Sequence, residues 1–211
     1  MEMQWYKDSI TTTEPTVVIT VKSRADLFCE PLALDIDRSK GEADVYVQGL
    51  AKGNQVALLH DMLIVGITGF EKYGDFAPSF AVYKRGSVAD GNARTVYELV
   101  GASSNTNLRA GITVHDTCGS WSSWPPHDFE VQALLAPVEL WSDFEEQFAL
   151  ITEQPGGWAL QMVRMVDGDV TVYAIGDGEI VDIPLSVHPI VAMPGVRLAY
   201  FWAYVNGGEK F

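Results

Sequence analysis

Gln147-Phe-Ala-Leu-Ile-Thr152, Ala159-Leu-Gln-Met-Val-Arg164, Val170-Thr-Val-Tyr-Ala174, Glu179-Ile-Val-Asp-Ile183 and Val196-Arg-Leu-Ala-Tyr-Phe-Trp202 follow one another with only short polar breaks. Short runs rich in β-branched and aromatic side chains fit a pleated, half-buried surface, so each predicts a strand. Asp167-Gly168 and Asp177-Gly178 predict hairpin turns between them, because glycine takes the left-handed backbone that tight turns require. The same signal extends toward the N-terminus through Thr16-Val-Val-Ile-Thr-Val21, Ala43-Asp-Val-Tyr-Val-Gln48, Met62-Leu-Ile-Val-Gly-Ile-Thr68, Phe80-Ala-Val-Tyr83 and Gly111-Ile-Thr-Val114. No long segment carries apolar residues at helical spacing, and short helical turns are expected only near Arg24–Phe28 or Glu139–Glu146. Many short antiparallel strands at close spacing imply an all-β sandwich or barrel. The polar stretch Arg85–Asn107, with its Gly and Ser residues, marks the expected internal boundary. It divides the chain into an N-terminal β unit, 1–90, and a C-terminal β unit, 91–211.

The 211 residues include 14 Lys+Arg and 28 Asp+Glu, for a net charge of −14, with 47% apolar side chains. A chain so apolar can bury a substantial core, which excludes disordered and fibrous classes. The acidity is uneven: residues 110–211 hold 3 basic and 14 acidic side chains. Such a surface repels phosphate backbones and anionic lipid, so nucleic acid and membrane are excluded as expected partners. No signal peptide and no stretch of membrane-spanning length is visible, and Cys29 and Cys118 form no CxxC pair. A cytoplasmic protein with two reduced thiols is expected. Cys118 is expected to be a small buried residue, and Trp121, Trp124, Trp158 and Trp202 to pack in the core or at a barrel mouth.

The four histidines are His60, His115, His127 and His188. His60 and His115 sit at expected strand ends, and each is read as a structural or surface residue rather than a ligand. His127 follows Pro125-Pro126, which stiffens the backbone before it, and His188 precedes Pro189. Between them, Phe144-Glu-Glu-Gln-Phe148 places carboxylates at the start of a strand. Two imidazoles and a carboxylate suit Zn, Mn, Fe or Ni with open positions for a substrate, provided the fold brings these strands together.

Gly119-Ser-Trp-Ser-Ser-Trp-Pro-Pro-His127 resembles the Gly-Asn-Trp-Ser-Ser-Tyr-Pro-Pro-His segment of the 5-deoxy-glucuronate isomerases, in the IolB/KduI group of bicupin sugar-acid isomerases. The resemblance continues in order through Glu145-Glu146, Gly157-Trp-Ala-Leu-Gln161, Asp177-Gly-Glu-Ile-Val-Asp-Ile-Pro184 and Val187-His-Pro-Ile-Val-Ala-Met-Pro-Gly195. It covers about residues 95–205, while the N-terminal half resembles the group only in its strand-rich character. The resemblance implies a cupin-type β-barrel or jelly roll, bicupin-like in having two β units, with one divalent metal. Carried over by position, the metal ligands are His127, Glu146 and His188.

The family's second histidine falls at Phe129, which cannot coordinate. Two family arginines are also replaced, one within Leu185-Ser186-Val187 and one at Met162. Arg164 and Arg197 are the cations left in the C-terminal half before Lys210, so an acidic sugar would meet few of them. The resemblance implies a metal-assisted aldose–ketose isomerisation of a deoxy sugar acid. Glu130 and Tyr173 are the candidate catalytic groups, Arg197 the candidate partner of a substrate carboxylate, and Gln161 and Trp124 the other substrate-binding candidates. The competing reading keeps the barrel and reduces its chemistry: a binding module, or a structural subunit of a larger assembly such as a virion. A small-molecule sugar acid is the partner in the first reading. Homo-oligomerisation or assembly is expected in either.

Overall fold

The computed structural model describes residues 6–9, 16–21, 24–29, 35–37, 44–49, 54–59, 62–68, 81–100, 108–125, 144–165, 168–184 and 186–206. The chain forms two compact units, 1–76 and 77–211. The division falls ahead of the 90/91 boundary expected from composition, and within the stretch read as that boundary residues 94–100 form a strand of the second unit.

In the first unit the strands are β1 (Tyr6–Ser9), β2 (Thr16–Val21), β3 (Asp35–Asp37), β4 (Asp44–Gly49), β5 (Asn54–Leu59) and β6 (Met62–Thr68), with a single helical turn, α1 (Arg24–Leu27). They make one antiparallel sheet in the order β1-β4-β5-β6-β2-β3. The helical turn expected near Arg24 is present. Leu27 and Phe28 are its buried side chains.

The second unit contains β7 (Ala81–Arg85), β8 (Arg94–Val100), β9 (Leu108–His115), β10 (Trp121–Ser122) and β11 (Phe144–Thr152). It continues with β12 (Trp158–Arg164), β13 (Val170–Gly176), β14 (Ile180–Ile183), β15 (Ile190–Ala192) and β16 (Leu198–Asn206). These strands form a four-stranded sheet, β10-β15-β12-β13, and a six-stranded sheet, β14-β11-β16-β9-β8-β7. The described part of the second expected helical turn, 144–146, is the beginning of β11.

The core of this unit draws on both sheets. Phe148, Leu150, Ile183, Leu198 and Tyr200 come from the six-stranded sheet, and Ala159, Ile175, Ile190 and Ala192 from the four-stranded one. Burying each large apolar side chain here is worth on the order of 1.5–3 kcal/mol. Burial alternates along β12, with Ala159, Gln161 and Val163 buried between exposed Trp158 and Arg164. The central strands of the six-stranded sheet are buried on both faces, since Ala149, Ile151, Phe201 and Ile112 are as enclosed as Phe148 and Leu198. This is why their sequences read as continuous apolar runs.

The two Asp-Gly signals behave differently. Gly168 (φ 92) lies in the connection of the β12–β13 hairpin, as expected. Gly178 (φ 83) turns the chain from one sheet to the other, because β14 pairs with β11 and not with β13. The Asp177 carboxylate fixes that turn by accepting from the Thr152 amide at 2.9 Å and the Gly156 amide at 3.3 Å.

Cys29 and Cys118 are free, exposed thiols, so Cys118 is not the buried residue expected. Among the described residues no helix is long and apolar enough to cross a membrane.

Candidate functional site

The inner face of the six-stranded sheet encloses a cavity of about 440 Å³. Its lining follows from strand parity: alternate residues of one strand share a face, and paired residues on adjacent strands stand side by side. Tyr200 of β16 pairs with Thr113 of β9, which pairs with Val96 of β8, which pairs with Tyr83 of β7. All four reach the cavity. Glu146 and Phe148 enter from β11, and Arg94 and Glu98 from β8 on the same face as Val96.

Of the residues expected to act, Glu146 and His188 are brought together. His188 Nε2 lies 3.3 Å from Glu146 Oε2, and both side chains are buried. The other ring nitrogen, Nδ1, donates to the Ser186 carbonyl at 3.0 Å, since a carbonyl can only accept. That bond fixes the ring orientation and directs Nε2 at the carboxylate. A metal-ligating histidine is oriented in the same way, with its remote N–H on a backbone carbonyl. Phe148 packs edge-on against the imidazole at 5.5 Å between ring centroids.

Gln161, expected to touch substrate, is fully buried behind His188. Its Nε2 donates to the His188 carbonyl at 2.7 Å and the Pro189 carbonyl at 3.2 Å. Its contacts thus secure the backbone that carries the imidazole. Trp124 lines the cavity, and Asn92 Nδ2 donates to its carbonyl at 3.4 Å, tying the rim to the β7–β8 turn. Trp121, Trp124 and Trp158 are each more than 40% exposed, against the expectation of packing for the first and third. Trp202 is partly buried, lines the cavity and donates its indole N–H to Thr113 Oγ1 at 3.1 Å.

Arg197 and Tyr173 lie apart from the cavity lining. The Arg197 guanidinium donates through Nε to the His115 carbonyl at 2.7 Å and sits 3.8 Å from Glu153. Tyr173 is on β13, an edge strand, and is 47% exposed. His127, Phe129 and Glu130 are outside the described residues. Among the described residues, no three ligating side chains cluster, so Glu146 and His188 make a two-membered set here.

Four cavity residues were not among those singled out from the sequence. Tyr200 is buried and shares a hydrogen bond with Ser122 Oγ. Burial pushes its phenol pKa up, so it stays neutral as a hydrogen-bond donor. Glu98 is the second carboxylate of the cavity and accepts from the Tyr83 hydroxyl at 3.5 Å. Arg85 and Arg94 bring two cations to a site expected to have few. All but Tyr200 belong to the β7–β8 hairpin, whose polar composition had marked it as a boundary. Strand parity along Arg94-Thr-Val-Tyr-Glu98 was the signal that would have found Arg94 and Glu98.

A family model described as KduI/IolB matches residues 75–210. The 5-deoxy-glucuronate isomerase of Bacillus velezensis is 32% identical over 127 residues, covering 59% of this chain and 43% of that protein. The protein of the same name from Shouchella clausii is 30% identical over 117 residues, covering 54% of this chain and 40% of its own length. The chain therefore spans less than half the length of either curated relative that it matches. An IolB-like protein from Salmonella typhimurium superposes on 98% of this chain and 81% of its own, with a TM-score of 0.59 and 17% identity. That likeness is one of fold, an all-β architecture.

Proposed function

The chain belongs to the KduI/IolB family, and from that premise we propose that its second unit catalyses a metal-assisted aldose–ketose isomerisation of a deoxy sugar acid. The observation that carries the proposal is the buried approach of His188 to Glu146, 3.3 Å apart, with Glu146 itself on the cavity wall. Their chemistry fits a divalent cation, being one carboxylate and one imidazole whose N–H is committed to the Ser186 carbonyl. Glu146 and His188 would hold the metal, with His127 as the third ligand that the family resemblance names. When bound, such a metal supplies Lewis-acid polarisation of a carbonyl oxygen.

The reaction needs no external oxidant. A proton leaves the hydroxyl-bearing carbon and is returned to the neighbouring carbonyl carbon, while the hydroxyl proton passes to the carbonyl oxygen. Glu98, the cavity carboxylate outside the Glu146–His188 pair, is assigned the carbon-bound proton. Tyr200, neutral because it is buried, donates a hydrogen bond to substrate oxygen. Phe148 and Trp202 give that end of the cavity an apolar lining, against which polar contacts are stronger than in water.

Two measurements test the assignment. Protein purified without chelator or affinity tag should carry close to one equivalent of divalent metal by mass spectrometry, and should isomerise 5-deoxy-glucuronate by NMR. Glu146→Gln and His188→Ala should each lower the metal content and reduce turnover by about a hundredfold or more, as expected when a ligand set of this size loses a member. A metal-free wild-type protein without turnover would overturn the proposal and favour the reading of a barrel kept as a binding module.

A further inference from the structure

Arg85 and Arg94 face one another across the β7–β8 ladder and both line the cavity. Like charges placed directly opposite on paired strands destabilise a sheet, so such a pair calls for a compensating group. Neither arginine has a carboxylate within ion-pair distance among the described residues. The Arg94 side chain is only 8% exposed, and among the described residues it donates from Nη1 to the Asn92 carbonyl at 3.0 Å. Arg85 is exposed at the mouth and rests over the Tyr83 ring, 4.4 Å from its centroid. Glu98 shares the inner face of β8 with Arg94, yet its recorded contact is with the Tyr83 hydroxyl. On the adjoining strand, the neighbour of Arg94 in the ladder is His115, whose imidazole is buried and uncharged. Two guanidinium groups facing one another on a cavity wall repel, and an anion seated between them relieves that cost.

We propose that Arg94, assisted by Arg85 at the mouth, is the carboxylate-binding end of this cavity, and that it selects an anionic sugar over a neutral one. The guanidinium offers paired N–H donors that match the two oxygens of a carboxylate. A sugar acid held there extends along the sheet face from β8 toward Glu146 on β11. The identity of the substrate as a sugar acid rests on the isomerase reading, whereas the anion site itself requires no turnover. Arg197, the cation expected to serve this purpose, is committed to the His115 carbonyl.

The test is calorimetric titration of the metal-loaded protein with D-glucuronate and, separately, D-glucose. The wild type should bind glucuronate about tenfold or more tightly than glucose, which is the scale of a charge-assisted hydrogen-bond pair. Arg94→Met should remove that preference while leaving glucose binding unchanged, Arg94→Lys should retain part of it, and Arg85→Met should reduce it less. Because Arg85 is exposed, Arg85→Met still tests the site if Arg94→Met fails to fold by circular dichroism. Arg164→Met, on the exposed end of β12, should bind both sugars as the wild type does. Absence of glucuronate binding in the wild type, or unchanged glucuronate affinity in both Arg94→Met and Arg85→Met, overturns the anion site. Arg94-dependent binding without isomerisation upholds the anion site and overturns the isomerase reading. Isomerisation that survives Arg94→Met with unchanged KM does the reverse.

Discussion

Among the described residues of the second unit two imidazoles are buried, and their surroundings give them different chemistry. His188 directs Nε2 at a carboxylate. His115 has no such neighbour: its Nδ1 donates to Ser120 Oγ at 2.9 Å, since that hydroxyl gives its own proton to the Thr117 carbonyl. Its Nε2 has no hydrogen-bond partner among the described residues. Burial, reinforced by the charge of Arg94, lowers the His115 pKa from 6.5 to about 3. The unfolded imidazole therefore takes up a proton well before the folded one does. Across that window the unfolded state binds more protons, so stability falls as the pH is lowered from about 6.5 toward 3. Urea unfolding between pH 7 and pH 4 should show this fall. His115→Asn should be less stable at pH 7 but show a shallower slope over the same range, and an identical slope in the variant would contradict the assignment. At this scale the sequence read His115 as a structural or surface residue, and the fold buries it; it named Glu146 and His188 in one set, and the fold places them 3.3 Å apart. The sequence had no means of separating Gln161, which secures the backbone of His188, from a residue that touches substrate. That distinction depends on which carbonyls surround the amide.

At the scale of the element, the packing of β9 against β16 is set by one glycine. Gly111 stands opposite Trp202 in the ladder, and a Cβ there would collide with the indole ring and with the Tyr97 carbonyl. Gly111→Ala should therefore destabilise the protein by about 1–3 kcal/mol through overpacking. It should also displace the Trp202 ring, whose fluorescence reports on the cavity wall. Unchanged stability and emission would show that the close approach is not tight. The densest strands were legible, from Thr16–Val21 through β6 and β9 to the C-terminal series, because β-branched runs carry their own signal. β8 was not, since Arg94 and Glu98 gave Arg85–Asn107 the composition of a linker. Polar residues on a strand that faces a polar cavity invert the usual apolar-inward pattern. The Asp177-Gly178 turn was recognised as a turn, but whether it keeps the chain in one sheet or transfers it to another depends on the long-range pairing of β14 with β11.

The charge distribution looks different once the molecular units are known. Counted from residue 110 onward, the chain has 3 basic and 14 acidic side chains, which suggested a pocket hostile to acidic sugars. The second unit begins at residue 77 and so gains Lys84, Arg85, Arg94 and Arg109, giving seven basic and sixteen acidic side chains. Two of the gained cations line the cavity. A unit can be acidic overall and still present cations where its ligand sits, because field and contact act over different distances. The ordered motifs from Gly119 to Gly195 were sufficient to place the chain in its family, whereas the provisioning of its cavity required the β7–β8 hairpin to be folded onto the sheet.

The proposal turns on a divalent metal held by Glu146, on the cavity wall, and by His188 beside it. Crystals grown with Mn(II) or Zn(II), measured above and below the metal absorption edge, test it most directly. The account predicts an anomalous peak about 2.0–2.3 Å from both His188 Nε2 and a Glu146 carboxylate oxygen. A metal-loaded crystal with its anomalous peak elsewhere, and Glu146 still paired directly with His188, would contradict it.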